Sequence, residues 1–336
     1  MRVAVVAPSV LPSPPESYGG AEQVVYDTAR SLGELGVDYT LFAPEGSKAP
    51  GGRLVETIGA PGHWSGHEER LAFEVYGREL AASSTAFDVV VDFSHEGLLL
   101  GKTQLPIVKM FMGISTWSKA PPPVPGRLVY VTISEYHANL TACNQGVDSA
   151  VLNHGIDTEV YWPADGAKRN LYVALSMQAL HKGQLAFVRA LGRVDDLVVA
   201  GEDRFVPDAS YVKGLKEECE RRGVRYRGSV THDEKVTMFQ HAKAVVLPFL
   251  PPGEAWSLIA TEAMACGTPV FTTDTGAMRE IVVPGTGRLF RDVNALAAGL
   301  RDEGFTYAAC REHAVRSFDR MLNARRLLGI CKELVE

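Results

Sequence analysis

The 336-residue sequence has no run approaching the ~18 consecutive apolar residues that a membrane-spanning helix requires. Its first apolar run, Val3 to Ala7, is too short for the core of a signal peptide and meets Pro8 and Pro12. Cysteine is scarce and scattered: Cys143, Cys219, Cys266, Cys310 and Cys331 form no Cys-x-x-Cys pair. An odd, dispersed set argues against a disulfide framework and a zinc knuckle, so reduced and mostly buried thiols are expected. No Asp-x-Asp and no His/carboxylate cluster with metal-ligand spacing is present, and no metal site is expected. The first turn lacks Gly-x-Gly-x-x-Gly; Pro8-Ser-Val-Leu-Pro12 stands there, which argues against a nicotinamide-dependent dehydrogenase. The net charge of −6 is uneven, with 10 Lys+Arg against 19 Asp+Glu in residues 1–165 and 24 against 21 in the remainder. An acidic first half disfavours nucleic acid or an anionic bilayer as a broad-surface partner. The mildly basic second half suits a phosphorylated small molecule. A soluble, cytoplasmic protein is expected.

What is present is a globular composition, 46% hydrophobic and 22% charged, on a chain long enough for two domains at roughly 150 residues each. Arg2 to Pro8 reads as a buried strand, followed by a Pro- and Ser-rich loop and Gly19-Gly20. From Ala21, Val24, Val25, Ala29, Leu32 and Leu35 recur at helical spacing until Gly36, and Val37 to Ala43 is the next strand. This strand–helix–strand unit implies a parallel sheet, continued by Phe87–Asp92, Pro106–Met110 and Leu128–Ile133. The pattern restarts with a strand at Leu171–Leu175, a helix at Gly183–Leu191 and a strand at Leu197–Ala200. A helix at Val212–Arg222 and a strand at Val224–Arg227 follow. Thr231 and Glu234 form a capping box opening a helix to about Ala242, and Ala244–Phe249 is a further strand. The polar stretch 164–169 is the expected linker, dividing the chain into residues 1–165 and 166–319. Residues Ala308 to Val335 read as helical throughout. Two such α/β domains facing each other place a ligand in the cleft between their strand ends.

The most informative segment is Leu247 to Val270, LPFLPPGEAWSLIATEAMACGTPV. A strand ends in prolines, a short loop presents Glu254, and a helix starts near Ser257 and stops at Gly267. Free N–H groups around Trp256, Ser257 and Leu258 suit a phosphate at the positive helix end. Glu262, on the helix, is placed to accept from ribose hydroxyls, and Glu254, on the loop, to meet the sugar beyond the phosphates. Taken alone, two glutamates eight apart also fit an ordinary solvated helix.

This segment resembles the signature of retaining glycosyltransferases of the GT-B fold, in the family-4-like group also called glycosyl transferases group 1. The resemblance covers nearly the whole chain. It implies two Rossmann-like domains facing a cleft, with residues 320–336 crossing back to the first. It also implies that Glu254 contacts donor-sugar hydroxyls and Glu262 the ribose. Tyr18-Gly19-Gly20-Ala21-Glu22 is similar to the family's Gly-Gly-Ala-Glu turn, whose backbone approaches donor phosphates and acceptor; a Cβ there would block the approach. Asp92-Phe-Ser-His95-Glu96 resembles the family's His-Glu pair, which implies that His95 lies near the reacting carbon. Val131-Thr-Ile-Ser-Glu135 and Asn153-His-Gly-Ile-Asp157 are similar to stretches that close the first domain, and Glu280-Ile-Val282 fits the stretch after the signature.

One departure stands out. The family's second domain opens with Gly-Arg and, a few residues on, Lys-Gly; here Lys182-Gly183 is present but Ala174-Leu-Ser-Met-Gln178 holds no arginine. Lys182 then meets the diphosphate alone, unless another cation such as Arg204 stands in. The expectation is a metal-independent, retaining transfer from a UDP- or GDP-sugar to a hydroxyl of a sugar, lipid-linked or small-molecule acceptor, with no further cofactor. The alternative is a nucleotide-sugar-binding protein of the same fold with little or no turnover. Acceptor choice is assigned to first-domain loops such as residues 59–69. Trp64 and Trp117 are read either as stacking on sugar rings or as packing in the core.

Overall fold

The computed structural model describes residues 1–59, 66–82, 86–95, 97, 99–114, 127–192, 196–203, 206, 208–300 and 305–336. Trp64, Trp117, Arg204, Glu96 and residues 60–65 of the expected specificity loop lie outside them. The chain divides into two compact units: Met1–Gly155 with Arg320–Glu336, and Ile156–Asp319.

Unit 1 contains β1 (Arg2–Val6), α1 (Gly20–Glu34), β2 (Asp38–Ala43), β3 (Arg53–Glu56), α2 (Gly66–Ala82), β4 (Val89–Asp92), β5 (Ile107–Met110), β6 (Leu128–Thr132), α3 (Glu135–Gln145) and β7 (Ala150–Val151). The sheet runs β3-β2-β1-β4-β5-β6-β7, and every pair is parallel. The β-branched runs of β1 and β4 are buried, as central parallel strands covered on both faces require. Phe42, Tyr76 and Phe87 pack edge to face in the core, with centroids 6.1 and 5.9 Å apart. Connections run outward in opposite directions from β1 and β4, so the ligand-binding switch point lies at the ends of these two strands.

Unit 2 contains β8 (Leu171–Leu175), a 3₁₀ turn (Leu180–Lys182), α4 (Gln184–Ala190), β9 (Leu197–Ala200), α5 (Ala209–Arg222), β10 (Arg225–Gly228), α6 (His232–Gln240) and β11 (Ala242–Leu247). It continues with α7 (Leu258–Ala265), β12 (Val270–Thr273), α8 (Met278–Ile281), β13 (Gly287–Phe290), α9 (Val293–Ala298) and α10 (Tyr307–Phe318). The order β10-β9-β8-β11-β12-β13, again all parallel, repeats that of unit 1, and its switch point lies between β8 and β11. Thr231 and Glu234 form the expected reciprocal capping box of α6.

The structure corrects the reading at three places. The C-terminal helix is broken: Asp319 is extended, and α11 (Arg320–Val335) begins after it, in unit 1. The Phe318 carbonyl accepts the Ile156 N–H at 2.8 Å and so is not left to continue the helix, while Thr158 donates to the Asp319 carboxylate at 2.6 Å. The apolar residues of that stretch thus belong to two helices. The linker expected at 164–169 lies inside unit 2, because Gln240 binds the Trp162 carbonyl and Arg169 binds Thr268 and the Cys266 carbonyl. The short edge strands β3 and β7 went unread, since four and two residues carry too little pattern.

All five cysteines are free; Cys219, Cys266, Cys310 and Cys331 are buried, which pushes each thiol up to about 12. No helix among the described residues is long and apolar enough to cross a membrane.

Three buried groups of unit 1 contribute to its pH response. Burial pushes His137 down to about 4 and His154, which also feels His137, down to about 3. Between those values and the ordinary histidine range the unfolded chain binds more protons, so their contribution to stability is lost as pH falls through that window. Glu22 is opposite in sign: burial raises it from 4.5 to about 7, so the folded protein loses stability as pH rises from 4.5 towards 7. Glu22→Gln removes that penalty. Its thermal midpoint at pH 8 is expected to exceed wild type by an amount worth ~2–4 kcal/mol, with little difference at pH 4.5. Equal midpoints at pH 8 would show that the carboxyl bears no such penalty.

Candidate active site

Two loops meet at the unit 2 switch point. The loop after β8 closes with the 3₁₀ turn ending in Lys182, and the loop after β11 carries Glu254. The Leu250 N–H donates to the His181 carbonyl at 2.9 Å, which ties the loops together. The Lys182 ammonium lies 2.8 Å from Glu254 Oε1, and the ring of His181 stands 3.5 Å from the same oxygen. Both members of the Lys182–Glu254 pair keep some exposure, 16% and 19% of their side chains, so an incoming ligand reaches them. Burial, and then Lys182, hold His181 below its usual range against the pull of Glu254; it is therefore no permanent second cation. The Ala277 N–H donates to the Glu254 carbonyl at 2.9 Å. Gly276, at φ 58°, lets the backbones approach; a Cβ there would strike the backbone of Glu254.

Three residues after Glu254 the chain enters α7. Ser257 is its N-cap and accepts from the Ala260 N–H at 3.3 Å. Among the described residues nothing accepts from the N–H groups of Trp256, Ser257 and Leu258, leaving three donors at the positive end of the helix. The Trp256 indole does not join them. It is buried, edge-on to Phe318 at 5.5 Å, so only its backbone is available to a ligand.

Glu262 lies on the second turn of α7 and is only 3% exposed. Its Oε1 accepts from the Tyr161 hydroxyl at 2.8 Å and the Lys235 ammonium at 3.0 Å, while its buried Oε2 has no hydrogen-bond partner among the described residues. Lys235 also stands 5.2 Å above the Tyr161 ring, which His232 flanks at 5.3 Å. Neither Tyr161 nor Lys235 was singled out from the sequence. Their only signal is spatial, since 101 and 27 residues separate them from Glu262.

Unit 1 places Gly19, Gly20 and His95 at its own switch point. Gly19 is the N-cap of α1 at φ 145°, and a Cβ there would press on Pro15 at 2.8 Å; Gly20 is the first helical residue and is exposed. Glu22, in the same turn, is 5% exposed, with Oε2 against Gly19. His95 follows β4 and is exposed.

After β8, the described residues 176–179 supply an amide and no arginine. Gln178 is fully buried, donating to the Gly201 carbonyl at 3.3 Å and accepting from the Tyr226 hydroxyl at 2.7 Å. It braces the loop and brings no charge to it.

Residues 168–302 match the family model described as "Glycosyl transferases group 1". The chain is 34% identical over 190 residues to a glycogen synthase of Mycobacterium tuberculosis, covering 51% of this chain and 43% of that protein. It is 28% identical over 138 residues to the MMP alpha-(1->4)-mannosyltransferase of Mycolicibacterium hassiacum, covering 40% of this chain and 33% of that one. The matched stretches thus span less than half the length of these curated relatives. Across nearly the full length, the fold is similar to the sucrose-phosphate synthase of Thermosynechococcus elongatus, with a TM-score of 0.76, 18% identity and 99% of each chain covered. It is also similar to Anabaena HepE, solved in complex with UDP and glucose, with a TM-score of 0.72, 17% identity, and 99% of this chain and 100% of that one covered. The repeated parallel sheet order and these matches lead to one assignment: the chain has the two Rossmann-like α/β units of the GT-B fold, and its residues 168–302 are similar to the glycosyl transferases group 1 family.

Proposed function

We propose that this protein is a retaining glycosyltransferase that moves a sugar from a nucleotide diphosphate sugar, UDP- or GDP-linked, to an acceptor hydroxyl without a metal ion. The observation that carries this reading is the unit 2 switch point, where the Lys182–Glu254 pair stands beside the three unsatisfied N–H groups at the start of α7. A diphosphate there takes the helix N-terminus and the Lys182 ammonium as counter-charges, which grow in worth as the glycosidic bond breaks and charge collects on the leaving group. Displaced from Lys182, the Glu254 carboxylate is free to accept from hydroxyls of the donor sugar. Glu262 receives a ribose hydroxyl at Oε2, the oxygen without a partner. In unit 1, His95 is assigned to the reacting carbon and the Gly19-Gly20 turn to the substrate's approach.

In the transfer the acceptor oxygen bonds to the anomeric carbon as the carbon–phosphate oxygen bond breaks. The electron pair leaves with the diphosphate. An oxygen of that leaving group takes the acceptor proton on the same face, which retains the anomeric configuration without a protein nucleophile. Excluding water protects the donor from hydrolysis.

The test is a screen of UDP-, GDP-, ADP- and TDP-sugars, read by calorimetry for binding and by chromatography for released nucleotide, with and without excess chelator. Release that survives the chelator supports the reading. Binding without release marks a nucleotide-sugar-binding protein, and neither binding nor release removes the function.

Glu262→Gln is expected to weaken binding of the preferred free nucleotide by ~1–3 kcal/mol, because a charge-assisted bond to ribose becomes a neutral one. The corresponding 2′,3′-dideoxy nucleotide should bind the variant and the wild type alike. Unchanged affinity for the ribonucleotide would take Glu262 out of the site.

A further inference from the structure

The C-terminal ends of the adjacent strands β4 and β5 in unit 1 hold a buried ion pair that the transfer reaction described above does not use. Lys109, 1% exposed, stands opposite Asp92, 0% exposed, on adjacent parallel strands. Its ammonium lies 3.3 Å from Asp92 Oδ2. It also donates to the Ser94 carbonyl, and it reaches the Asp92 carbonyl and the Ser94 hydroxyl at 3.4 Å each. From the other side, Asp92 Oδ1 accepts the Ser94 N–H at 2.8 Å. The turn Asp92-Phe93-Ser94 is therefore gripped at both backbone groups of Ser94, with Phe93 buried at its centre. The next residue is His95. The Ser94 carbonyl and the His95 N–H belong to one planar peptide, so the bond from Lys109 orients the plane from which the His95 side chain departs.

Stability alone is a weak reason for such a pair. Desolvation offsets the attraction of two buried charges, and well-packed apolar residues do as well or better in the same volume. The neighbouring positions Val89, Val90, Val91, Ile107 and Val108 are all apolar and buried. The pair stands instead at the strand ends beside the switch point, where ligand-facing groups of such a sheet collect. We propose that Lys109, with Asp92, is a positioning residue that sets the Ser94–His95 peptide and so aims the imidazole of His95 at the reacting carbon. This rests on the assignment of His95 in the proposed transfer.

A kinetic double-mutant cycle tests it, using nucleotide release from the donor sugar that the wild type accepts. Lys109→Met is expected to lower kcat at least ~10-fold, with donor KM within about twofold of wild type, because the donor's diphosphate and ribose are assigned to unit 2. Adding Lys109→Met to His95→Ala is expected to change nothing further, since a residue acting through His95 has nothing left to aim. Losses that multiply in the double variant, or an unchanged kcat in Lys109→Met, would overturn the proposal. Should Lys109→Met fail to fold, because Asp92 is left charged and buried, the neutral pair D92N/K109M takes its place with the same expected outcomes. Failure of both to fold marks the pair as purely structural and also overturns it. Wild-type turnover in His95→Ala would remove the assignment of His95 and this proposal with it. A wild type that releases no nucleotide from any sugar would remove the transfer reading itself.

Discussion

Deleting Asn323–Glu336 is expected to unfold unit 1 while unit 2 remains folded and continues to bind nucleotide. The deleted stretch contains most of α11, whose Ala324, Leu327 and Cys331 are buried at 0%, 1% and 0% exposure. These residues recur at i, i+3 and i+7, the apolar stripe of a helix laid against its own unit. Burial of Leu327 alone is worth roughly 1.5–3 kcal/mol, and the whole stripe is lost at once. Two ties of unit 1 go with it: the bond from the Asn323 amide to the Asn153 carbonyl and the bond from Arg127 to the Leu334 carbonyl at 3.0 Å. A domain has only ~5–15 kcal/mol in reserve, so the loss reaches that scale. Scanning calorimetry should show one transition where the intact chain shows the transitions of both units, and the surviving one should move up on adding nucleotide. Retention of both transitions near their original midpoints would show that α11 is dispensable to unit 1. Arg320 is left in place, with its bonds to Glu34 at 2.9 Å and Ser31 at 3.0 Å, so the experiment reads the apolar stripe rather than that ion pair.

Lys182→Met is expected to lower turnover by ~100-fold or more, the effect of removing one preorganised charge from a developing anion. Lys182 supplies the one permanent cation found beside Glu254 among the described residues. Gln178 contributes only an amide turned into the β9 and β10 contacts, and His181 is held towards neutrality by burial and by Lys182 itself. The substitution also leaves Glu254 without its partner, which places a carboxylate where the diphosphate should lie. Lys182→Met/Glu254→Gln separates the two effects, since it removes the repulsion and leaves the missing cation. Affinity for the nucleoside monophosphate is expected to fall much less than turnover does, as the lost charge matters most when the bond to the leaving group is breaking. Turnover within threefold of wild type in both variants would show that Lys182 is an ordinary turn lysine.

The segment around Glu254 was legible because its chemistry is local. A strand end, a proline-rich turn, a glutamate and a helix N-cap at Ser257 follow one another within a few residues, and the structure builds each of them in that order. The same holds for the capping box at Thr231 and Glu234 and for strands β8 and β9, whose bounds are those read from the sequence. Trp256 shows the limit of local reading. It sits in the motif, yet its ring is spent on Phe318, 62 positions away, and only its backbone N–H remains for a ligand. The single long helix read at 308–335 failed for the same reason. The local pattern there reads as helical, and the break at Asp319 comes with Ile156, whose N–H takes the Phe318 carbonyl that a continuous helix would use.

Sequence by itself determined the α/β class, the two strand–helix repeats, the position of the Lys182-Gly183 turn and the order of groups from Glu254 to Glu262. These rest on periodicity, caps and turns, which act between residues a few positions apart. Tertiary structure alone decided which charges meet. Lys182 faces Glu254 across 72 residues, Lys235 and Tyr161 occupy one oxygen of Glu262, and Lys109 closes on Asp92 and Ser94 behind His95. A parallel sheet brings strand ends together through crossovers of a dozen residues or more, so neighbours at its edge are distant in the chain. A lysine inside the apolar strand Ile107–Met110 therefore carries no readable partner until β4 and β5 pair and set Asp92 beside Lys109.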